Sequence, residues 1–86
     1  MQKLKQEDGY GIGQNLKSLR IRRKLSQVDV VRELDFYDIH INRVTYNKME
    51  HNSYSIRIRE LLALKTIFDC SFDEMFAGIE YPKRLI

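Results

Sequence analysis

The stretch Arg43-Val44-Thr45-Tyr46-Asn47-Lys48 gathers the side-chain types that read the edges of base pairs. A guanidinium offers a planar fork of donors that matches guanine O6 and N7; a lysine serves a base or a phosphate; valine methyls meet a thymine methyl. At helical spacing Tyr46 and Met49 share one face and point inward, leaving Arg43, Val44, Asn47, Lys48 and His51 on the other. Asn42 can cap the start with its side-chain oxygen, and Asn52 suits the left-handed conformation that ends a helix. Residues 42–51 therefore read as a recognition helix, and the chemistry is hydrogen bonding in a DNA groove.

Covalent and metal chemistry find little support. His40 and His51 are the only histidines, eleven positions apart and without a cysteine or carboxylate cluster at metal-ligand spacing. Ser53 lies near His51, but a Ser-His-acid site needs a third group, an oxyanion hole and a cleft that no pattern here predicts. Gly9-Tyr10-Gly11-Ile12-Gly13 has no strand pattern before it and no Gly-Lys-Ser/Thr ending after it, so it reads as a flexible arm running into a helix. The chain is expected to be no enzyme and to use no cofactor and no metal.

A chain of 86 residues, 43% hydrophobic, has material for one small core. The net charge of +3 is unevenly spread, with +5 over residues 1–24 and +3 over residues 42–59, separated by an acidic stretch. Brought together, the two positive segments would make a face that attracts a phosphate backbone. The single Cys70 precludes an internal disulfide and fits a reducing cytoplasm. No apolar run approaches the roughly 20 residues of a membrane span, so a soluble, cytoplasmic protein without membrane contact is expected.

The elements that must position the recognition helix follow from periodicity and caps. Residues 1–10 read as a flexible N-terminal arm, 11–78 as the domain and 79–86 as a tail. Ile12, Leu16 and Leu19 mark a first helix ending near Lys24, with cations filling its second half. Ser26 with Asp29 forms a capping-box pattern for a helix from Gln27 to Leu34, burying Val30, Val31 and Leu34. After the recognition helix, Ile58, Leu61, Leu62, Leu64, Ile67 and Phe68 supply the most apolar helix, and Ser71 with Glu74 opens a last short one, Phe72 to Phe76. The expectation is an all-α fold of five helices and no sheet.

Four runs in order and spacing carry a family resemblance: Leu25-Ser26-Gln27, Ile41 to Glu50, Leu61-Leu62-Ala63-Leu64 and Ser71 to Phe76. Over Ile12 to Phe76 the chain resembles the Cro/lambda-repressor-like (XRE) helix-turn-helix regulators of bacteria and phages. The resemblance implies a compact five-helix DNA-binding domain in which one helix crosses the DNA backbone and the next enters the major groove. It implies that Gln27 binds a phosphate at the start of its helix, that Arg43, Val44, Asn47 and Lys48 read bases, and that Thr45 and Ser53 hold phosphates. Arg20 and Glu50 match an ion pair that ties the first helix to the recognition helix, a structural role. The chain departs from the pattern at Val31, where the family has a small residue, at Asp35, where it has glycine, and in a longer connection to the recognition helix. Phe36, Tyr37, Ile39 and His40 of that insertion are expected to pack on the core; the other reading makes residues 35–41 a surface for a protein partner.

The function so implied is a sequence-specific regulator of transcription on double-stranded DNA, a repressor by promoter occlusion. So small a domain covers few base pairs, and the resemblance implies a homodimer through residues 72–86, apolar at Phe72, Met75, Phe76, Ile79, Tyr81, Leu85 and Ile86. The rival is a protein-interaction module, an antitoxin or adaptor, on the same fold. Against it stands the polar, cationic outer face of helix 42–51, where a protein-binding helix more often shows apolar residues.

Overall fold

The computed structural model describes residues 3–4, 11–80 and 82–85. These contain five helices, α1 (Gly13–Arg22), α2 (Gln27–Asp35), α3 (Arg43–Glu50), α4 (Ile58–Phe68) and α5 (Phe72–Met75), and two short strands, β1 (Lys3–Leu4) and β2 (Ile56–Arg57). Polar side chains fix where the helices begin. The Ser26 hydroxyl accepts the Asp29 N–H at 3.0 Å while the Asp29 carboxylate accepts the Ser26 N–H at 2.8 Å, a reciprocal box that opens α2. Ser71 and Glu74 repeat it for α5, at 3.1 and 3.0 Å. Asn42 opens α3 by accepting the Thr45 N–H at 2.8 Å. For α4 the Glu60 carboxylate accepts the Arg57 N–H at 2.7 Å.

The helix ends share a device. Lys24, Asp38, Asn52 and Asp69 have φ of 58°, 58°, 59° and 50°. The N–H of the next residue returns to a carbonyl five positions back: Leu25 to Arg20, Ile39 to Leu34, Ser53 to Lys48 and Cys70 to Lys65, at 3.1, 3.1, 2.8 and 3.2 Å. This is the Schellman closure, which usually places glycine at the left-handed position. Here it is met without one.

The core takes Ile12 just before α1, Leu16 and Leu19 from α1, Val30 and Leu34 from α2, Tyr46 and Met49 from α3, and Leu61, Ala63, Leu64, Ile67 and Phe68 from α4. Ile39, Ile56, Cys70 and Met75 complete it. Leu62 departs from the expectation and is half exposed. Leu61 to Leu64 are consecutive, a helix turns about 100° per residue, and the run cannot face one side.

The fold is all-α with five helices among the described residues, as the sequence implies. One addition is a two-residue antiparallel bridge, Lys3 opposite Arg57 and Leu4 opposite Ile56. Its partners are far apart in sequence, and strands this short carry no local signature. The rest of the expected arm over 1–10 lies outside the described residues.

The connection between α2 and α3 requires a correction. Of the aromatic and apolar residues expected to pack, only Ile39 is buried, while Phe36 is 79% and Tyr37 42% exposed and His40 lies at the surface. The left-handed Asp38 ends α2 and turns Ile39 alone inward. His40 is held outside, its Nδ1 2.9 Å from Asp35 Oδ1 and its Nε2 2.8 Å from Asp38 Oδ1. Arg59 of α4 donates to the Tyr37 and Asp38 carbonyls at 2.8 and 3.1 Å. The insertion is thus braced on both sides.

An L side chain in the left-handed region costs roughly 1–2 kcal/mol, a cost glycine escapes at the expense of unfolded-state entropy. Exposed Lys24 has no other role in its turn, so Lys24→Gly is expected to stabilise the fold by about 0.5–1 kcal/mol and raise Tm by roughly 2–8 °C. An unchanged or lower Tm in a thermal melt would show that the turn is not strained.

Candidate nucleic-acid interface

The centre of the site is a buried carboxylate. Tyr46, Met49 and Glu50 form the inward face of α3, and Glu50 is 6% exposed. The Arg20 guanidinium meets it as a two-pronged fork, Nε to Oε2 at 2.7 Å and the second amino nitrogen to Oε1 at 3.2 Å. The remaining Arg20 nitrogen donates to the Leu25 carbonyl at 2.9 Å, which ties down the turn before α2. Burial would raise the Glu50 carboxyl, but the hydrogen bonds it accepts, that from Arg20 foremost, outweigh burial and hold it below the usual carboxylate range. Its partner Arg20 is raised by the same contact. The buried Tyr46 hydroxyl beside this pair is pushed far above an ordinary phenol, first by burial and then by Glu50.

Gln27 carries the arrangement outward. At the first position of α2, its side-chain nitrogen donates to Glu50 Oε1 at 3.1 Å and to Asn47 Oδ1 at 2.9 Å. Its oxygen accepts from Arg43 at 3.2 Å. One amide thus ties two of the four candidate base-reading side chains, Arg43 and Asn47, to the ion pair. Arg43, Val44 and Lys48 are exposed and Asn47 is half-buried, on one face of α3. Thr45 is half-buried, with its N–H taken by the Asn42 cap. Ser53 is exposed in the following loop, its hydroxyl donating to the His51 carbonyl at 3.3 Å.

Of the described cations over residues 11–24, Arg20 turns inward to Glu50 and Arg22 pairs with Glu74 of α5, while Lys17, Arg23 and Lys24 are exposed. Hydrogen bonding to Glu74 foremost raises Arg22, and the same contact lowers the Glu74 carboxyl.

The glycine run has a packing role. A Cβ on Gly13 would lie 2.4 Å from the Glu50 carbonyl oxygen, and one on Gly11 would lie 2.2 Å from the Asn52 side chain. Only glycines let the start of α1 approach the end of α3 this closely. Asn52 Oδ1 accepts the Gly13 N–H at 2.8 Å, supplying across space the cap that Ile12 cannot give α1. The left-handed Asn52 at the end of α3 is as its sequence position implies, but its capping of α1 and the relay through Gln27 were not legible; both depend on how helices meet in three dimensions.

No family model matches this chain. No curated protein matches it either. Among solved structures, the crystal structure of the restriction-modification controller protein C.AhdI from Aeromonas hydrophila superposes with a TM-score of 0.66. The sequences are 25% identical, and the match covers 80% of this chain and 97% of that one. This chain has the Cro/lambda-repressor-like helix-turn-helix fold. The likeness is to a controller protein and not to an enzyme. In this helix-turn-helix, α2 and α3 are the paired helices, and the lengthened turn between them is the braced insertion described above. No helix among the described residues is long and apolar enough to cross a membrane.

Because Glu50 is lowered on folding, its contribution to stability is present above the ordinary glutamate range and is lost as pH falls through its folded value. Glu50→Gln leaves the Arg20 charge buried without a counter-charge and is expected to cost about 3–5 kcal/mol at pH 7. Chemical denaturation should show the gap between wild type and variant narrowing from pH 5 to pH 3. A gap that stays constant over that range would contradict an ionised, stabilising Glu50.

Proposed function

We propose that this protein is a sequence-specific regulator of transcription that binds double-stranded DNA with α3 in the major groove. The observation that carries the reading is the pre-positioning of Arg43 and Asn47 by the Gln27 amide, on a fold matching that of a controller protein. Side chains held in place before binding lose less rotamer freedom on contact, which favours recognition. In this reading Arg43, Val44, Asn47 and Lys48 meet base edges, with Arg43 on a guanine. Thr45 and Ser53 hold phosphates, and Gln27, whose side-chain donors are taken by Glu50 and Asn47, meets one through the backbone N–H groups that open α2.

Regulators this small reach enough sequence by pairing on two half-sites about one DNA turn, roughly 34 Å, apart. The homodimer surface is residues 72–86, where Phe72 is 44%, Phe76 39% and Leu85 93% exposed, more apolar surface than a short terminal segment needs. Tyr81 and Ile86 of that segment lie outside the described residues. The simplest action for such a dimer is repression by occluding a promoter. The protein-interaction reading, antitoxin or adaptor, draws on the exposed Phe36 and Tyr37 of the 35–41 insertion. The cationic face of α3 favours DNA.

Selection from a random duplex pool is expected to yield a near-palindromic site, and Arg43→Ala should relax specificity at one position per half-site, costing about 1–3 kcal/mol there. If about six phosphates are neutralised, log K should fall with log salt at a slope near −5. Equal loss for all sequences would demote Arg43 to a phosphate contact. No enrichment at low salt by folded protein would pass the function to the insertion. A mass measurement at tens of micromolar should give a dimer, and a monomer unchanged by DNA would overturn the pairing.

A further inference from the structure

His51 follows the last residue of α3 and has no role in the reading above. Its Nδ1 lies 2.8 Å from the Asn47 carbonyl oxygen, one turn back. A carbonyl oxygen only accepts, so Nδ1 carries a proton, and in the neutral ring Nε2 is left as a bare acceptor. Such an atom meets a phosphate lone pair to lone pair. Protonation at Nε2 turns it into a charged donor while the bond from Nδ1 to Asn47 is kept, so the ring is already oriented for a phosphate when it becomes cationic. Ser53, proposed on a phosphate, donates its hydroxyl to the His51 backbone carbonyl two residues back, so both residues stand at the same end of the recognition helix. The side chain is exposed.

We propose that His51 is a phosphate contact made only by its protonated ring, so that DNA binding takes up a proton. This rests on the DNA reading. Among the described residues, the charged and titratable groups nearest it along the chain are Lys48, one turn earlier on α3, Glu50, turned inward onto Arg20, and Tyr54, whose hydroxyl donates to Glu60 of α4. Gly11 and Gly13, at and before the start of α1, pack against the neighbouring Asn52 and Glu50 and bring no charge. The other histidine, His40, is gripped by Asp35 and Asp38 at the far end of α3 and serves as an internal control.

The test is affinity for a selected duplex at constant salt from pH 6 to pH 8.5, with binding heats in buffers of different ionisation enthalpy to count protons. Wild type should lose about fivefold in affinity per protomer across the range and take up protons. His51→Gln, on an exposed position, should flatten the profile and abolish the uptake; His51→Arg should bind well at both ends; His40→Gln should keep the wild-type slope. A slope that persists in His51→Gln overturns the contact alone. So does relaxed specificity at one base pair without proton uptake, which would make His51 a neutral base contact. Failure of folded wild type to bind any duplex overturns the DNA reading and the contact with it.

Discussion

Glu50 is almost withdrawn from water in a chain of 86 residues, where the core is small and an unpaired buried charge costs several kcal/mol. Its needs are directional. The Arg20 fork occupies one edge of the carboxylate and reaches both oxygens, and the Gln27 amide takes a further lone pair. Apolar contacts between α1, α2 and α3 would tolerate sliding, because burial of hydrocarbon has no preferred angle. A two-pronged ion pair with a third donor does not. The relative placement of these helices, and therefore of the exposed face of α3, follows from satisfying one buried anion.

The same need explains why the outer face is ordered before any ligand is present. Gln27 has one donor group turned to Glu50 and Asn47 and one acceptor turned to Arg43. It is held by the interior and holds the surface. The insertion after α2 could have loosened this coupling, yet Arg59 and His40 brace it and Ile39 anchors it in the core. A longer connection has been accommodated by adding contacts to α4, so the start of α3 remains fixed at Asn42.

Local signals were legible in the sequence and non-local ones were not. Ser26, Asn42 and Ser71 announced helix starts because a capping side chain bonds within three residues of itself. Tyr46 and Met49 announced the buried face of α3 by spacing alone. The Arg20 and Glu50 pair was reached only through family likeness, since no local pattern links residues 30 positions apart. The helix ends were read to within two residues, but the left-handed positions of Lys24, Asp38 and Asp69 that close them were not, because glycine usually marks such a stop. The two-residue bridge and the exposure of Phe36 and Tyr37 depend on where distant elements come to rest.

Asn52 closes α3 through its own left-handed backbone and caps α1 with its side chain. An eight-residue helix has no appreciable stability alone in water, and α1 is barely longer. The two are joined at Asn52 and again at Glu50, and opening the end of α3 removes the cap of α1. The surface that faces outward on α3 therefore belongs to a single cooperative unit. Unfolding of α1 is expected to take this face with it instead of leaving it standing.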